Sequence, residues 1–367
     1  MHIKKKINRL SRIYIFFLSF VLLINLVLTT SLKANSFKIT DLKIFEPFDL
    51  NFNKEKVIDK AFKKAFTELY LKITTSGDKS KIKDTSLISI KGLIDSFTIN
   101  NESFVNSEYQ AEFDVNFNKE NVLDFFEMKN TFPSIPQRKK ILFIPIIFDV
   151  QKDKISLFTN NIFYEKWNEI NERYFLLNYL LPSEDIEDLK LILNNRESIE
   201  SYDFKEIILK YDLNHYIISI IYKNKKELSI LSKIKLNEFI KINNIKFKDR
   251  DISNSKDFEF IVGNLKILYE DYWKNINQIN TSIKLPFTLS IETKQNKKIE
   301  NFEKTLKNLD LVSNFEILKL NSENIFYKII YNGSPNRFIA DMKEKNIIIN
   351  NQNQVWTIEW VILINYS

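Results

Sequence analysis

The chain has 367 residues, of which 44% are hydrophobic and 28% charged. That length is enough for two or three separate cores, so a multidomain protein is expected. The formal net charge is +7, but residues 1–34 hold six Lys and Arg residues and no acid, which leaves a net charge of only +1 on the remainder. A protein that binds nucleic acid needs a basic surface on its folded part, so this class is not expected.

The chain contains no cysteine. Disulfides, thiolate metal sites, a cysteine nucleophile and a lipid-modified N-terminal cysteine are therefore excluded. The only glycines lie far apart in the chain, at Gly77, Gly92, Gly263 and Gly333. Loops that hold phosphate groups need closely spaced glycines, so neither a nucleotide nor any other cofactor is expected.

The N-terminus has the pattern of a secretory signal. Residues 2–12 are basic, residues 13–28 are apolar, and a short segment rich in small residues follows, with cleavage predicted after Ala34. The apolar run has 16 residues, fewer than the roughly 20 that span a bilayer. An uncleaved anchor stays open because Leu32 is large for its place before the cut. The prediction is a periplasmic protein, or one anchored in the inner membrane through this segment alone and facing the periplasm.

Residues 36–130 are predicted to form an α+β domain. Residues 54–73 place apolar side chains at three-to-four spacing, which indicates an amphipathic helix with Asn53 as its N-cap and Ser76-Gly77 after its end. Residues 107–117 alternate strictly between apolar and polar, as a strand with one buried face does. Further elements are predicted as strands at 37–44 and 93–100 and a helix at 119–129.

Residues 137–281 are predicted to form an α/β domain that begins after Pro133 and Pro136. The near-continuous apolar run within residues 140–150 suits a strand covered on both faces. Strands and helices then alternate, and a long helix over 257–279 is expected to pack on this domain rather than to bridge to the next. The intervening elements are predicted as helices at 158–173, 183–193 and 203–211 and strands at 174–180, 215–222, 227–236 and 238–247.

Residues 285–367 are predicted to form a ferredoxin-like βαββαβ domain. Trp356 and Trp360 share one face of its last strand, and we favour core packing over an exposed surface that stacks on peptide or glycan. The elements are predicted as strands at 287–293, 313–320, 324–331, 347–350 and 355–364 and helices at 299–309 and 335–345.

One acidic cluster is a weak candidate for a functional site; it consists of Glu184, Asp185, Glu187 and Asp188. These carboxylates could bind a hard cation or act as a pair in hydrolysis. The alternative, which we favour, is that they complement the positive end of a helix capped by Ser183. His215 is the only histidine outside the signal, and a structural or surface role is favoured over a catalytic triad.

Several segments resemble the bacterial family called domain of unknown function 2066. The similarity lies in the corner at residues 73–77 (ITTSG), the alternating strand with Asp114, the strand entry at 138–142, and the segments 180–188 (LLPSEDIED) and 211–218 (YDLNHYII). It extends over residues 40–364, with departures at Ser76 and at Asp212, where the family usually has glycine. The resemblance implies an exported bacterial envelope protein and carries over no catalytic residue.

The expected function is therefore that of a non-enzymatic envelope protein which acts through contact with a protein partner or in assembly, although the sequence leaves the question of enzymatic activity open. The alternative is a hydrolase that acts on an envelope polymer through carboxylates of the acidic cluster.

Overall fold

The computed structural model describes residues 37–237, 239–279 and 285–360. The predicted signal, its cleavage site and the end of the last predicted strand lie outside these ranges. The described chain is a mixed α+β structure with three β-sheets. Within it, no helix is long and apolar enough to cross a membrane.

The first sheet is antiparallel, with strand order β1-β3-β2. It contains β1 (Lys38–Pro47), β2 (Ile94–Val105) and β3 (Glu108–Phe117). Every second residue of β3 is buried, as the strict alternation predicts. The helix α1 (Lys54–Ile73) packs on this sheet through its apolar stripe.

The Asn53 side chain accepts a hydrogen bond from the amide of Lys56, so the predicted N-cap of α1 is confirmed. Helix α1 ends at Ile73, as predicted, but Ser76 and Gly77 do not cap it. Thr74 is the C-cap and is extended, and Ser76 and Gly77 begin a 3-10 helix, Ser76–Ile82. Two short helices complete this region. They are α2 (Leu87–Leu93), which is not predicted from the sequence, and α3 (Lys119–Met128).

The second sheet has the order β5-β4-β7-β8-β9, with β6 also paired to β4. Strand β4 runs parallel to β6 and β7, while β5, β8 and β9 join by antiparallel pairs. The strands are β4 (Lys139–Asp149), β5 (Lys154–Ser156), β6 (Leu177–Leu180), β7 (Tyr216–Asn224), β8 (Glu227–Lys235) and β9 (Lys241–Lys248).

Strand β4 is buried on both faces, as predicted. Ile141 and Phe143 belong to a core on one side of the sheet, and Leu142 and Ile144 belong to a core on the other. The first core is closed by the long helix α7 (Ser255–Ile276), which packs on this sheet as expected. The second core is closed by α5 (Ile186–Asn194) and α6 (Lys205–Leu209).

The helix predicted over 158–173 is reduced to the short α4 (Ile162–Lys166). Phe158 has a φ of 38°, which a helix does not tolerate. The buried Asn161 then caps α4, because its side chain accepts hydrogen bonds from two helix amides and donates to the carbonyl groups of Pro145 and Ser156. This side chain fixes the start of the helix four residues later than the apolar pattern indicates.

The third sheet has the order β11-β12-β10-β14-β13. Its strands are β10 (Leu285–Glu292), β11 (Val312–Leu320), β12 (Asn324–Tyr331), β13 (Ile347–Asn350) and β14 (Val355–Trp360), with the helices α8 (Asn296–Leu306) and α9 (Pro335–Glu344) between them. In a βαββαβ plan the strand that follows α9, here β13, would pair with β10. Instead, β14 pairs with β10 in parallel, and the four-residue β13 pairs with β14 at the edge of the sheet. A short strand at the edge leaves fewer backbone groups unpaired.

The Pro-marked segment between the first two sheets is held in place by backbone hydrogen bonds. The Ser134 amide donates to the Ile73 carbonyl at 2.6 Å, and the Ile279 amide donates to the Pro133 carbonyl at 2.7 Å. Ser134 is fully buried. One continuous group of buried apolar residues also joins the first and third sheets and includes Ile279.

Helix α7 carries three charged side chains that are almost fully buried, Lys266, Glu270 and Lys274. They are spaced by four residues and therefore lie along one face of the helix. The Glu270 carboxylate accepts hydrogen bonds from the backbone amides of Leu176 and Leu177 at 2.7 to 3.0 Å. Burial raises the pKa of Glu270, and these amides together with the two lysines act against that rise.

We predict that Glu270→Leu destabilises the protein by about 2–5 kcal/mol, because two buried amides then lose their acceptor. Denaturant unfolding measures the loss, and faster hydrogen exchange at the amides of Leu176 and Leu177 would localise it. Glu259→Leu, at an exposed position of the same helix, should change stability by no more than about 0.5 kcal/mol. Equal midpoints for the two variants would contradict this role of Glu270.

Candidate functional site

The acidic cluster lies at the start of α5, with a different cap from the predicted one. Asp185 rather than Ser183 is the N-cap, and its carboxylate accepts a hydrogen bond from the Glu187 amide at 2.7 Å. Glu184 and Glu187 are exposed, while the Asp188 side chain is fully buried. The four acids therefore do not form one group of accessible carboxylates.

Lys210 neutralises the inner part of this cluster. Its Nζ atom lies 2.6 Å from Asp185 Oδ2 and 2.6 Å from Asp188 Oδ1. Hydrogen bonding to the two carboxylates raises the pKa of Lys210, and the same Lys210 contact lowers the pKa of Asp185. Over the described ranges, no group of three or more His, Asp or Glu side chains is placed to hold a metal ion.

His215 does not join the acidic cluster. Its ring meets the Trp273 ring edge-on, with centroids 6.1 Å apart, on the side of the second sheet that α7 covers. Helix α5 packs on the opposite side. Partial burial lowers the pKa of His215, and the nearby charges of Lys139 and Lys235 lower it further, so its surroundings favour the neutral imidazole.

Trp356 is partly buried and packs against the core on the third sheet, which agrees with the favoured expectation. Its ring stacks on Phe287 at a centroid distance of 4.4 Å and lies beside Phe338. The side chain of Trp360 lies outside the described part of the structure.

A cluster of aromatic side chains, several of them exposed, lies at one end of the first sheet. We call it the aromatic end, and it is formed by Phe48, Leu50, Phe52, Phe104, Val105 and Tyr109. Phe48 and Phe104 are 46% and 53% exposed, and Leu50 is fully exposed. The rings of Phe48 and Phe104 keep this exposure although they contact each other, with their centroids 4.7 Å apart.

Local backbone structure holds the aromatic end in place. The two-residue turn between β2 and β3, Asn106-Ser107, has positive φ at both positions, as a type I′ hairpin turn requires. The Phe48 amide donates to the Ser107 carbonyl at 2.8 Å, which ties the loop after β1 to this turn. Tyr109 forms the buried base of the cluster, and burial raises its pKa.

An ion pair lies at the rim of the aromatic end. Lys54 Nζ is 2.7 Å from Glu102 Oε1, and this contact raises the pKa of Lys54. An exposed apolar patch with a polar rim is typical of surfaces that bind other proteins. The arrangement can supply apolar contact area.

Models of known protein families and curated proteins were both compared with the chain, and neither comparison finds a significant match.

The aromatic end is not predicted from the sequence. Phe48, Leu50 and Phe52 fall in the loop between β1 and α1, and Phe104 lies in the half of β2 that was not predicted as a strand. The available signal was the alternation of Phe48, Leu50 and Phe52 with Asp49 and Asn51, a strand-like pattern in a segment that forms no strand. Only pairing with β3 brings this segment to Phe104.

The structure also contains a buried lysine within an aromatic cage. Lys266 Nζ lies 5.3 Å from the Trp167 ring centroid and 5.1 Å from that of Tyr179, and it donates to the Ile170 carbonyl at 2.5 Å. Burial lowers the pKa of Lys266 to about 8, although Glu270 acts in the other direction. Cation–π contact and one carbonyl replace only part of the hydration that the ammonium loses.

We predict that Lys210→Met costs about 3–5 kcal/mol of stability, because it leaves the Asp188 carboxylate buried without a cation. Adding Asp188→Asn to Lys210→Met should recover part of that loss, and a double-mutant cycle by urea unfolding measures the coupling. Lys190→Met, at an exposed position of α5, the helix that carries Asp188, is the control. If Lys210→Met is no more damaging than Lys190→Met, Lys210 is not the stabilising partner of the cluster.

We predict that Lys266→Met changes how stability depends on pH. Between pH 8 and the ordinary lysine pKa of 10.5 the unfolded chain keeps this proton and the folded chain loses it. The free energy of unfolding of the wild type therefore increases as pH rises through this window, by up to about 3 kcal/mol, because of Lys266. Below pH 8 the folded wild type bears the full cost of burying the charged Lys266 ammonium, and the methionine variant does not bear this cost.

The measurement for Lys266→Met is the difference in unfolding free energy between variant and wild type at pH 7.5 and pH 10.5. Other titrating groups cancel in this difference. We expect the variant's relative stability to fall as pH rises, and a constant difference would show that Lys266 is not held with a lowered pKa.

Proposed function

We propose that this chain is a non-enzymatic, exported envelope protein that binds a protein partner through the aromatic end. The single observation that carries the proposal is the exposure of Phe48 and Phe104, whose rings contact each other, with the fully exposed Leu50 two residues after Phe48. Aromatic side chains held rigidly lose little conformational entropy on binding, and they dominate the energy of many protein interfaces.

Export is supported by the signal-like segment at residues 1–34 and by the resemblance to domain of unknown function 2066. We include membership of that family in the proposal. The protein would face the periplasm, and contact with the membrane would be limited to an N-terminal segment that is not cleaved.

We further propose that the three sheets correspond to three domains. The first is α+β, the second is α/β, and the third is a ferredoxin-like plan in which β14 is added between β10 and β13. This division is supported by the local pairing within each sheet. The first and third domains share a core, so they would act as one body.

The partner can be tested in living cells with a photo-crosslinking residue at position 50. We expect a crosslink to one envelope protein, reduced at least about tenfold when Phe48 and Phe104 are both changed to Ser, because central aromatic contacts dominate interface energies. The variant's unfolding midpoint should stay close to the wild-type value, since both rings are partly exposed.

A matched control changes the exposed residues Leu209 and Phe239, which lie on the second domain, to Ser. This variant should keep the crosslink. A chain that stays uncrosslinked at position 50, or a crosslink that survives loss of both aromatic rings, contradicts the proposed function.

A further inference from the structure

A second surface of the first domain forms a groove of about 780 Å³ between α1, the 3-10 helix Ser76–Ile82 and α2. We call it the lysine groove. Apolar parts of Phe66, Tyr70 and Ile82 line it, and all three residues are buried against the core. Its volume falls within the range of ordinary small-molecule sites.

The charge of the lysine groove is one-sided. Three exposed lysines line it, and no acidic residue does; they are Lys63, Lys79 and Lys83. In the described part of the chain, none of these three forms a salt bridge. Nearby lysines behave differently, since Lys81 pairs with Asp78 and Lys91 pairs with Asp59.

The excess of lysines over acids in the groove is a local feature and does not follow from the composition of the whole chain. The chain outside residues 1–34 is almost neutral overall. The Asp78 carboxylate acts on Tyr70 from the 3-10 helix, but it is paired with Lys81. The three lysines without a salt bridge, beside an apolar floor, therefore favour an anion which also has an apolar part.

A buried polar group lies under the same groove. Tyr70 is only 4% exposed, and its hydroxyl lies near the Thr74 side chain without a hydrogen bond of normal geometry. The Thr74 hydroxyl instead donates to the Tyr70 carbonyl at 2.9 Å. A buried hydroxyl without a partner is costly, which marks this wall of the groove as incompletely satisfied in the free protein.

We propose that the lysine groove binds a single-chain anionic amphiphile, with its alkyl chain on the Phe66 and Ile82 floor and its anionic head between the three lysines. The apolar floor supplies affinity in proportion to the alkyl area that leaves water. The lysines select for the negative head group. This inference is independent of the proposed partner surface, because it uses different residues and a different class of ligand.

The test is binding of radiolabelled dodecyl phosphate to the full chain by equilibrium dialysis, below the micelle concentration. We expect one saturable site. Changing Lys63, Lys79 and Lys83 together to Gln should weaken it about tenfold, as three exposed ionic contacts would. The matched control changes three exposed lysines elsewhere to Gln, at Lys152, Lys225 and Lys256, and should bind like wild type.

A second variant blocks the groove with a bulky side chain and removes no charge. Thr67 is exposed on α1 and lines the groove, so Thr67→Trp should abolish the saturable binding and leave the unfolding midpoint unchanged. Thr67→Trp does not alter the apolar N-terminal segment, so the difference in binding between this variant and the wild type reports binding in the groove alone.

Two further probes define the ligand class. Dodecyl maltoside, which has the same chain and a neutral head, should bind at least about tenfold more weakly, and inorganic phosphate should show no saturable binding. The inference is overturned if the glutamine triple variant and Thr67→Trp both bind like wild type, if the neutral amphiphile binds equally well, or if phosphate alone accounts for the affinity.

Discussion

The row of buried charges on α7 is the constraint on which the arrangement of the first two sheets depends. A buried ammonium or carboxylate needs a hydrogen-bonding partner, since its desolvation cost is several kcal/mol. Each of the three side chains finds backbone partners in a different segment. Lys266 binds the Ile170 carbonyl, Glu270 binds the amides that lead into β6, and Lys274 binds the Leu71 carbonyl of α1 at 2.6 Å. One helix thereby fixes both its own sheet and its neighbour.

Other contacts at the same junction reinforce this coupling. Asp271 accepts hydrogen bonds from the Ser76 amide and hydroxyl, and Arg173 reaches Glu68 together with the carbonyl groups of Thr40 and Asp41. These are mostly side chain to backbone bonds, so they specify geometry more than they add stability. The corner at Ser76 is consequently tied to α7 on one side and forms a wall of the lysine groove on the other.

The sequence predicted the elements whose periodicity is strong, and missed those fixed by polar side chains. Strand β3 and helix α1 follow their patterns almost to the residue, because alternation and three-to-four spacing report burial directly. The long helix α7 was predicted to pack on its sheet, but the burial of Lys266 and Glu270 on it was not predicted. Nothing local distinguishes a buried charge from an exposed one, since its partners are some ninety residues away in the chain.

The acidic cluster shows the same limit at a candidate site. Four acids within five residues of sequence are compatible with a cation site, a pair of catalytic carboxylates or a helix start, and the local pattern cannot separate these. What separates them is Lys210, which the chain brings to Asp185 and Asp188 from a different helix end. A carboxylate that is buried and held by an ammonium group is a poor ligand and a poor base, because either role requires it to give up that partner. The outer acids, Glu184 and Glu187, are exposed to solvent. If this segment binds a ligand or reacts, these two carboxylates are the ones that can take part, and the buried Asp188 is not.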